Sequence, residues 1–239
     1  MIISINQPAY LPWTGYFHRI AISDRHVVLN HVQFEKNSFT NRNKVRTSNG
    51  WTWLTVPVET KGKFGNLPIN ELTLAGDVKW QQKHWRTINQ NYSKAPYFNL
   101  YAQELELLYT SSWSSLDALC TQMTSFFLDA LGIGTEIQFS AEMNPCGTKN
   151  SLILDLCEKS QATVYLSGIQ GQNYLQEAQF KSSNIKVIYQ DYKHPIYAQN
   201  QKGRFEAYMG IIDLLFNYGP SSLEVLMKDQ MTSKNWALE

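Results

Sequence analysis

A chain of 239 residues, 43% of them hydrophobic, is long enough to bury a substantial core in one large domain or two small ones. Twenty-one Lys and Arg against 20 Asp and Glu leave a net charge of +1, without the global positive excess that draws nucleic acid through its phosphates. No apolar run approaches the roughly 20 residues that span a bilayer, and no basic region precedes an apolar stretch at Met1, so a cytoplasmic protein without a membrane span is expected. Cys120, Cys146 and Cys157 are widely spaced and lack a Cys-x-x-Cys pair, which argues for reduced thiols and against a disulfide framework or a structural zinc site.

In chain order, Ile2 to Ile5 reads as a short buried strand stopped by Asn6-Gln7-Pro8, since proline cannot donate to a ladder. A polar loop leads to a predicted helix over 16–23, with Phe17, Ile20 and Ala21 on one face, and Val27-Val28-Leu29 reads as a second strand. A hairpin is predicted over 45–58, turning at Thr47-Ser48-Asn49-Gly50; 62–65 reads as a mobile loop and 69–74 as a further strand. From Trp80 to Leu131 the spacing turns helical, broken at Pro96 and ended by Gly132 as a C-cap. Strands at 136–140, 164–166 and 186–189 then alternate with helices at 151–161, 173–180 and 205–216.

Alternation at both ends of the chain predicts an α/β fold, Rossmann-like, with a parallel or mixed sheet and a helical insertion in the middle. One α/β unit over 1–239 is expected, with lobes at 1–78 and 133–239 joined by the helical segment 79–132. In such sheets ligands gather at the carboxyl ends of the strands.

The run Gln7-Pro8-Ala9-Tyr10-Leu11-Pro12-Trp13-Thr14-Gly15-Tyr16-Phe17 resembles the opening signature of the WbqC-like family, as does Val32-Gln33-Phe34 followed by Asn41-Arg42-Asn43-Lys44. Further blocks with the same resemblance are Gly50 to Val58, Tyr165-Leu166-Ser167-Gly168, His194 to Gln199 and Ile212 to Asn217. The resemblance implies a role in bacterial surface-polysaccharide (O-antigen, lipopolysaccharide) biosynthesis, with amide or acyl formation on a nucleotide- or lipid-linked sugar as the implied chemistry. Asn30-His31 departs from it, standing where similar proteins tend to carry two acidic residues. A fainter likeness joins Gly15 to His18 and the strands around them to HIGH-type nucleotidyltransferases and pantothenate-synthetase-like ligases, which implies a HUP-like variant of the fold and an adenylating, ATP-dependent ligase.

Several residues can carry such chemistry. Gln7, just past the first strand, can read a ribose or sugar hydroxyl, and His18 can shuttle a proton or meet phosphate. Arg42 can grip a phosphate or carboxylate bidentately, with Lys36 and Lys44 as point charges and Asn41 and Asn43 as hydroxyl readers. Tyr165, Ser167 and Gly168 end a strand before a glycine-containing turn, where backbone N–H groups can meet an anion. His194 is the preferred general base, with Tyr197 and Gln199 sharing its pocket wall. Tyr10, Trp13 and Gln33, inside the blocks that carry the resemblance, complete the expected substrate contacts.

No His-x-x-x-His pair points to a catalytic metal, and no Gly-x-Ser-x-Gly elbow points to a serine nucleophile. The donor stays open between ATP with Mg²⁺ and an acyl-coenzyme A. The expected partner is a small-molecule sugar substrate, and the competing class is a non-catalytic sugar-binding or scaffold protein of a polysaccharide assembly complex.

Overall fold

The computed structural model of the chain describes residues 1–62, 65, 67–76 and 79–230. In chain order it forms β1 (Ile2–Asn6), α1 (Thr14–Ala21), β2 (Arg25–Val28) and a hairpin of β3 (Arg42–Thr47) and β4 (Gly50–Thr55). Three longer helices follow, α2 (Lys79–Tyr92), α3 (Phe98–Thr110) and α4 (Leu116–Leu131). The chain then returns to alternation with β5 (Glu136–Phe139), α5 (Lys149–Lys159), β6 (Val164–Ser167), α6 (Glu177–Ser182) and β7 (Lys186–Tyr189), and closes with α7 (Ile212–Tyr218) and α8 (Ser222–Met227).

The five strands outside the hairpin make one sheet in the order β5-β2-β1-β6-β7, with every pair parallel. The fold is thus Rossmann-like α/β, and both alternating segments of the chain feed the same sheet. Because β1 sits in the centre, its two faces see two different cores. Ile3 and Ile5 point with Val27 and Tyr165 into a cluster closed by Leu152, Ile153 and Leu156 of α5, and each such aliphatic side chain contributes about 1.5–3 kcal/mol by leaving water. Ser4, on the opposite face, pairs with His26, packed under α1.

The insertion is legible in its capping. Ser115 accepts a hydrogen bond from the backbone N–H of Ala118 at 3.1 Å to start α4. Gly132 takes the left-handed conformation (φ 69°) that ends it, and Ile133 N–H returns to the Leu128 carbonyl at 2.9 Å. Among the described residues no helix is long and apolar enough to cross a membrane.

Three sequence expectations need correction. The strand expected over 69–74 is a single 3₁₀ turn, Ile69–Glu71, after which Thr73 and Leu74 make only isolated bridges to Ser115 and Val58. The helix expected over 173–180 begins only at Glu177, behind the 3₁₀ turn Ile169–Asn173. The helix expected over 205–216 does not form before Ile212, because Gly210 N–H donates to the Lys44 carbonyl at 2.9 Å and Ile211 N–H to the Pro12 carbonyl at 2.8 Å. Those bonds stitch the segment to β3 of the hairpin and to the loop after β1, and leave nothing for a helical turn. Residues 63 and 64 of the loop expected at 62–65 lie outside the described residues.

Candidate functional site

The chain runs from β1 outward to β2 and β5, then crosses to the other side of β1 to lay down β6 and β7. The carboxyl ends of β1 and β6 are therefore the point where the connections part, and the sheet opens there into a crevice. A cleft of about 470 Å³ lies at this place, within the size range of small-molecule sites. Its floor is Asn6 at the end of β1 and Ser167-Gly168 at the end of β6. Its walls are aromatic, with Trp13, Tyr174 and Tyr192.

Arg19 of α1 supplies the positive charge of the cleft, whose lining also includes Asp191. Its Nη2 donates to Asn6 Oδ1, its Nε is buried without a hydrogen-bond partner, and no carboxylate pairs with it among the described residues. Burial pulls the guanidinium below its ordinary value, while the surrounding tyrosines 165, 16 and 174 push the other way. An enclosed cation facing phenols and an amide, rather than a counter-ion, is stabilised by an incoming phosphate or carboxylate.

Gly168 makes the approach feasible, because a Cβ built there would overlap Arg19 Nη1. Its backbone (φ −68°) suits any residue, so Gly168→Ala should cost about 1 kcal/mol or less, a change of about 2–4 °C in melting temperature. A crystal structure of that variant is expected to show the guanidinium pushed away from β6, and a guanidinium left in place would refute the steric argument.

At the end of β7, Gln190 Nε2 donates to the Gly15 carbonyl at 2.9 Å and to His18 Nδ1 at 2.8 Å. With both amide hydrogens committed, Gln190 offers its Oε1 as an acceptor beside the cleft. His18 is fully buried behind it, its ring 5.0 Å from that of Tyr192.

Of the residues predicted from sequence, Trp13, Tyr165, Ser167 and Gly168 line this cleft. Gln7 stands next to it in the chain but accepts from Thr40 Oγ1 at 3.4 Å. His194 lies one aromatic layer away, touching Tyr192 and Tyr208, which in turn touch Trp13. Both of its nitrogens meet backbone, Nδ1 with the Pro195 carbonyl at 2.8 Å and Nε2 accepting from Tyr208 N–H at 3.1 Å. That pattern fixes a neutral ring, and burial lowers its pKa further.

The remaining predicted residues are held elsewhere. Tyr197 and Gln199 donate to the buried Asp213 carboxylate at 2.9 and 2.8 Å. Tyr10 shares its hydroxyl with His84 and Tyr109. Gln33 bonds the Phe34 carbonyl and Leu67 N–H. Asn41 donates to the Val56 carbonyl, closing the base of the hairpin, and Asn43 donates to the Leu11 carbonyl, clipping the hairpin to the loop after β1. Arg42 and Lys44 occupy the outer hairpin face, 4.4 Å from the Trp53 ring centre and 4.2 Å from that of Trp51, and Lys36 is exposed on the loop before them.

Sequence reasoning missed Arg19, Asn6, Gln190 and Tyr192. Arg19 falls between Phe17 and Ile20 in a short apolar helix, where it reads as a solvated neighbour of His18, and only the strand order reveals what it faces. Among the described residues no three His, Cys, Asp or Glu side chains converge to hold a metal. The cofactor-sized space at the strand ends is the cleft itself.

Comparison with known proteins gives a family match. The model of the WbqC-like protein family matches residues 7–225. A protein of Mycobacterium tuberculosis (strain ATCC 25618 / H37Rv), described as uncharacterized protein Rv1507c, is 34% identical over 225 residues, covering 94% of this chain and 96% of its own. No solved structure gives a significant match.

Proposed function

This chain belongs to the WbqC-like protein family, and on that premise we propose that it is an enzyme modifying a sugar precursor of bacterial surface polysaccharide, binding it in the cleft at the ends of β1, β6 and β7. The reaction that fits is amide or acyl formation on a nucleotide- or lipid-linked sugar, with ATP and Mg²⁺ or an acyl-coenzyme A supplying the activated group. The observation that carries the reading is the enclosed Arg19 guanidinium, which no carboxylate pairs among the described residues. Both classes of sugar precursor carry a phosphoryl group of the charge it lacks. Ser167, Gln190 and Asn6 line the cleft and would meet ligand hydroxyls in this reading, and the rings of Trp13 and Tyr174 suit a flat base or a sugar ring. Proton transfer by His194 would require Nε2 to release the Tyr208 N–H.

The test is a thermal-shift and calorimetric comparison of UDP-, dTDP- and GDP-linked sugars, ATP with Mg²⁺ and acyl-coenzyme A on the native protein and on Arg19→Gln. A ligand that binds only the folded state raises the melting temperature. Losing one charge-assisted contact should weaken binding by about 10- to 100-fold, or roughly 1.5–3 kcal/mol. Equal affinity in the variant would remove the site from this cleft.

A second reading is favoured by the outer face of the hairpin. There Phe39 and Trp51 are 52% and 41% exposed beside Trp53, Arg42 and Lys44, an aromatic and cationic face of the kind that docks partners. If no ligand shifts the protein at millimolar concentration, the chain is a non-catalytic member of an assembly complex and this face is where to look for its partner.

A further inference from the structure

A second cavity opens along the same edge of the sheet, on the other side of the loop that follows β1. It separates α4 from the ends of β2 and β5, and Val28, Ile137, Phe139, Cys120, Thr124 and Leu128 line it, giving an almost wholly apolar wall. Pro8 and Tyr16 close the side toward β1, and the exposed Ser125 stands at the mouth. Its volume is about 200 Å³. An apolar cavity of about 150 Å³ holds a benzene molecule, so this one has room for about eight non-hydrogen atoms.

The hydroxyl-bearing residues Thr121, Thr124, Ser125 and Tyr16 interrupt the apolar lining. Of these Tyr16 is only 5% exposed, and its hydroxyl is enclosed behind the cavity wall without a hydrogen-bond partner among the described residues. A buried hydroxyl left unbonded is costly, and a ligand acceptor removes that cost. Burial raises its pKa; Cys120 and Asp117 add to the rise and Arg19 opposes it. The phenol is therefore within electrostatic reach of the guanidinium of the cleft as well as of the groups beside the cavity.

We propose that this cavity receives a short acyl chain of about five or six carbons, with its carbonyl oxygen accepting from the Tyr16 hydroxyl. The proposal deepens the functional reading above, because it names the group that would be joined to a sugar held at Arg19. A chain longer than six carbons overruns the volume, and an acetyl group leaves most of it empty.

Neutral primary amides test the site without engaging Arg19. Acetamide, butanamide, hexanamide and octanamide are titrated into the native protein, and binding is read from the methyl resonances of Val28 and Leu128. Affinity is expected to rise about fourfold per added methylene up to hexanamide and then to level off. Tyr16→Phe should weaken every member of the series by a similar factor, and Ser125→Trp, which plugs the mouth from an exposed position, should abolish the chain-length dependence. Arg19→Gln should leave the series unchanged, so a failure of the cleft reading is distinguishable from a failure of this one. Affinity independent of chain length, or methyl shifts elsewhere than at Val28 and Leu128, would overturn the proposal whether or not the Ser125 variant folds.

Discussion

Asp213→Ala is expected to lower unfolding stability by about 3–5 kcal/mol, the range for breaking a buried charged network. Asp213 is 0% exposed at the start of α7, and its carboxylate accepts from Tyr92 Oη at 3.0 Å, Tyr197 Oη at 2.9 Å and Gln199 Nε2 at 2.8 Å. Tyr92 Oη in turn accepts from the Arg46 backbone N–H at 2.8 Å, so one side chain joins α7, α2, the hairpin and the segment around 197–199. Burial raises the carboxyl pKa while the three donors and Arg46 oppose that rise, the signature of a charge that is enclosed and compensated. Removing it strands three donors in the core. Asn at this position keeps one acceptor but turns an N–H₂ toward other donors, so Asp213→Asn should lose about half as much. Urea unfolding with an unchanged m-value is the measurement. A loss below about 1 kcal/mol would mean that the tyrosines find other partners and that the network is not what anchors α7.

This network also shows where sequence reasoning reaches its limit. Tyr197 and Gln199 stand out in the sequence as polar groups with a shared purpose, and they do share one, but it is a carboxylate 14 to 16 residues further along that no local spacing marks. Elements set by local physics were legible. The apolar run Ile2–Ile5 is β1, the alternation around Trp51 and Trp53 is β4, and Gly132 ends α4. Elements decided by distant partners were not. The segment 205–211 has the apolar content of a helix, but its backbone bonds go to Lys44 and Pro12, and a Cβ on Gly210 would crowd the Leu11 carbonyl.

The candidate site divides in the same way. Ser167 and Gly168 were legible as a strand end followed by a glycine turn, a pattern written in four consecutive residues. Arg19 was not, because its meaning depends on β6 lying next to β1, which brings Gly168 to a helix 149 positions earlier in the chain. A parallel sheet with a switch point places residues from both halves of the chain in one crevice, and single-sequence patterns carry no record of strand order.

Below about pH 6.5, stability should fall by about 1.4 kcal/mol per pH unit for each buried histidine that resists its proton. His26 is 0% exposed, bonded to Ser4 Oγ at 2.8 Å through Nδ1 and unpartnered at Nε2, and burial followed by the nearby Arg19 charge lowers its pKa to about 3. His84, held by Tyr10, is lowered to about 4, again chiefly by burial. In the unfolded chain both titrate near 6.5, so between that value and the folded-state value the unfolded state binds the proton and the folded state does not. The contribution is fully present above 6.5, declines as pH falls, and for His26 is exhausted only near 3. Asp213 runs the other way, since a raised carboxyl favours the protonated folded state on acidification, and it offsets part of the loss only in the acid end of the window. Urea titrations at intervals from pH 7.5 to 4.5 should thus give midpoints that fall steadily below 6.5. In His26→Asn, whose amide can still meet Ser4, stability at pH 7.5 drops and the slope should shrink without vanishing, because His84, His31 and His194, also lowered by burial, continue to titrate. An unchanged slope in that variant would assign the acid sensitivity to surface charge instead, and high salt would then flatten it.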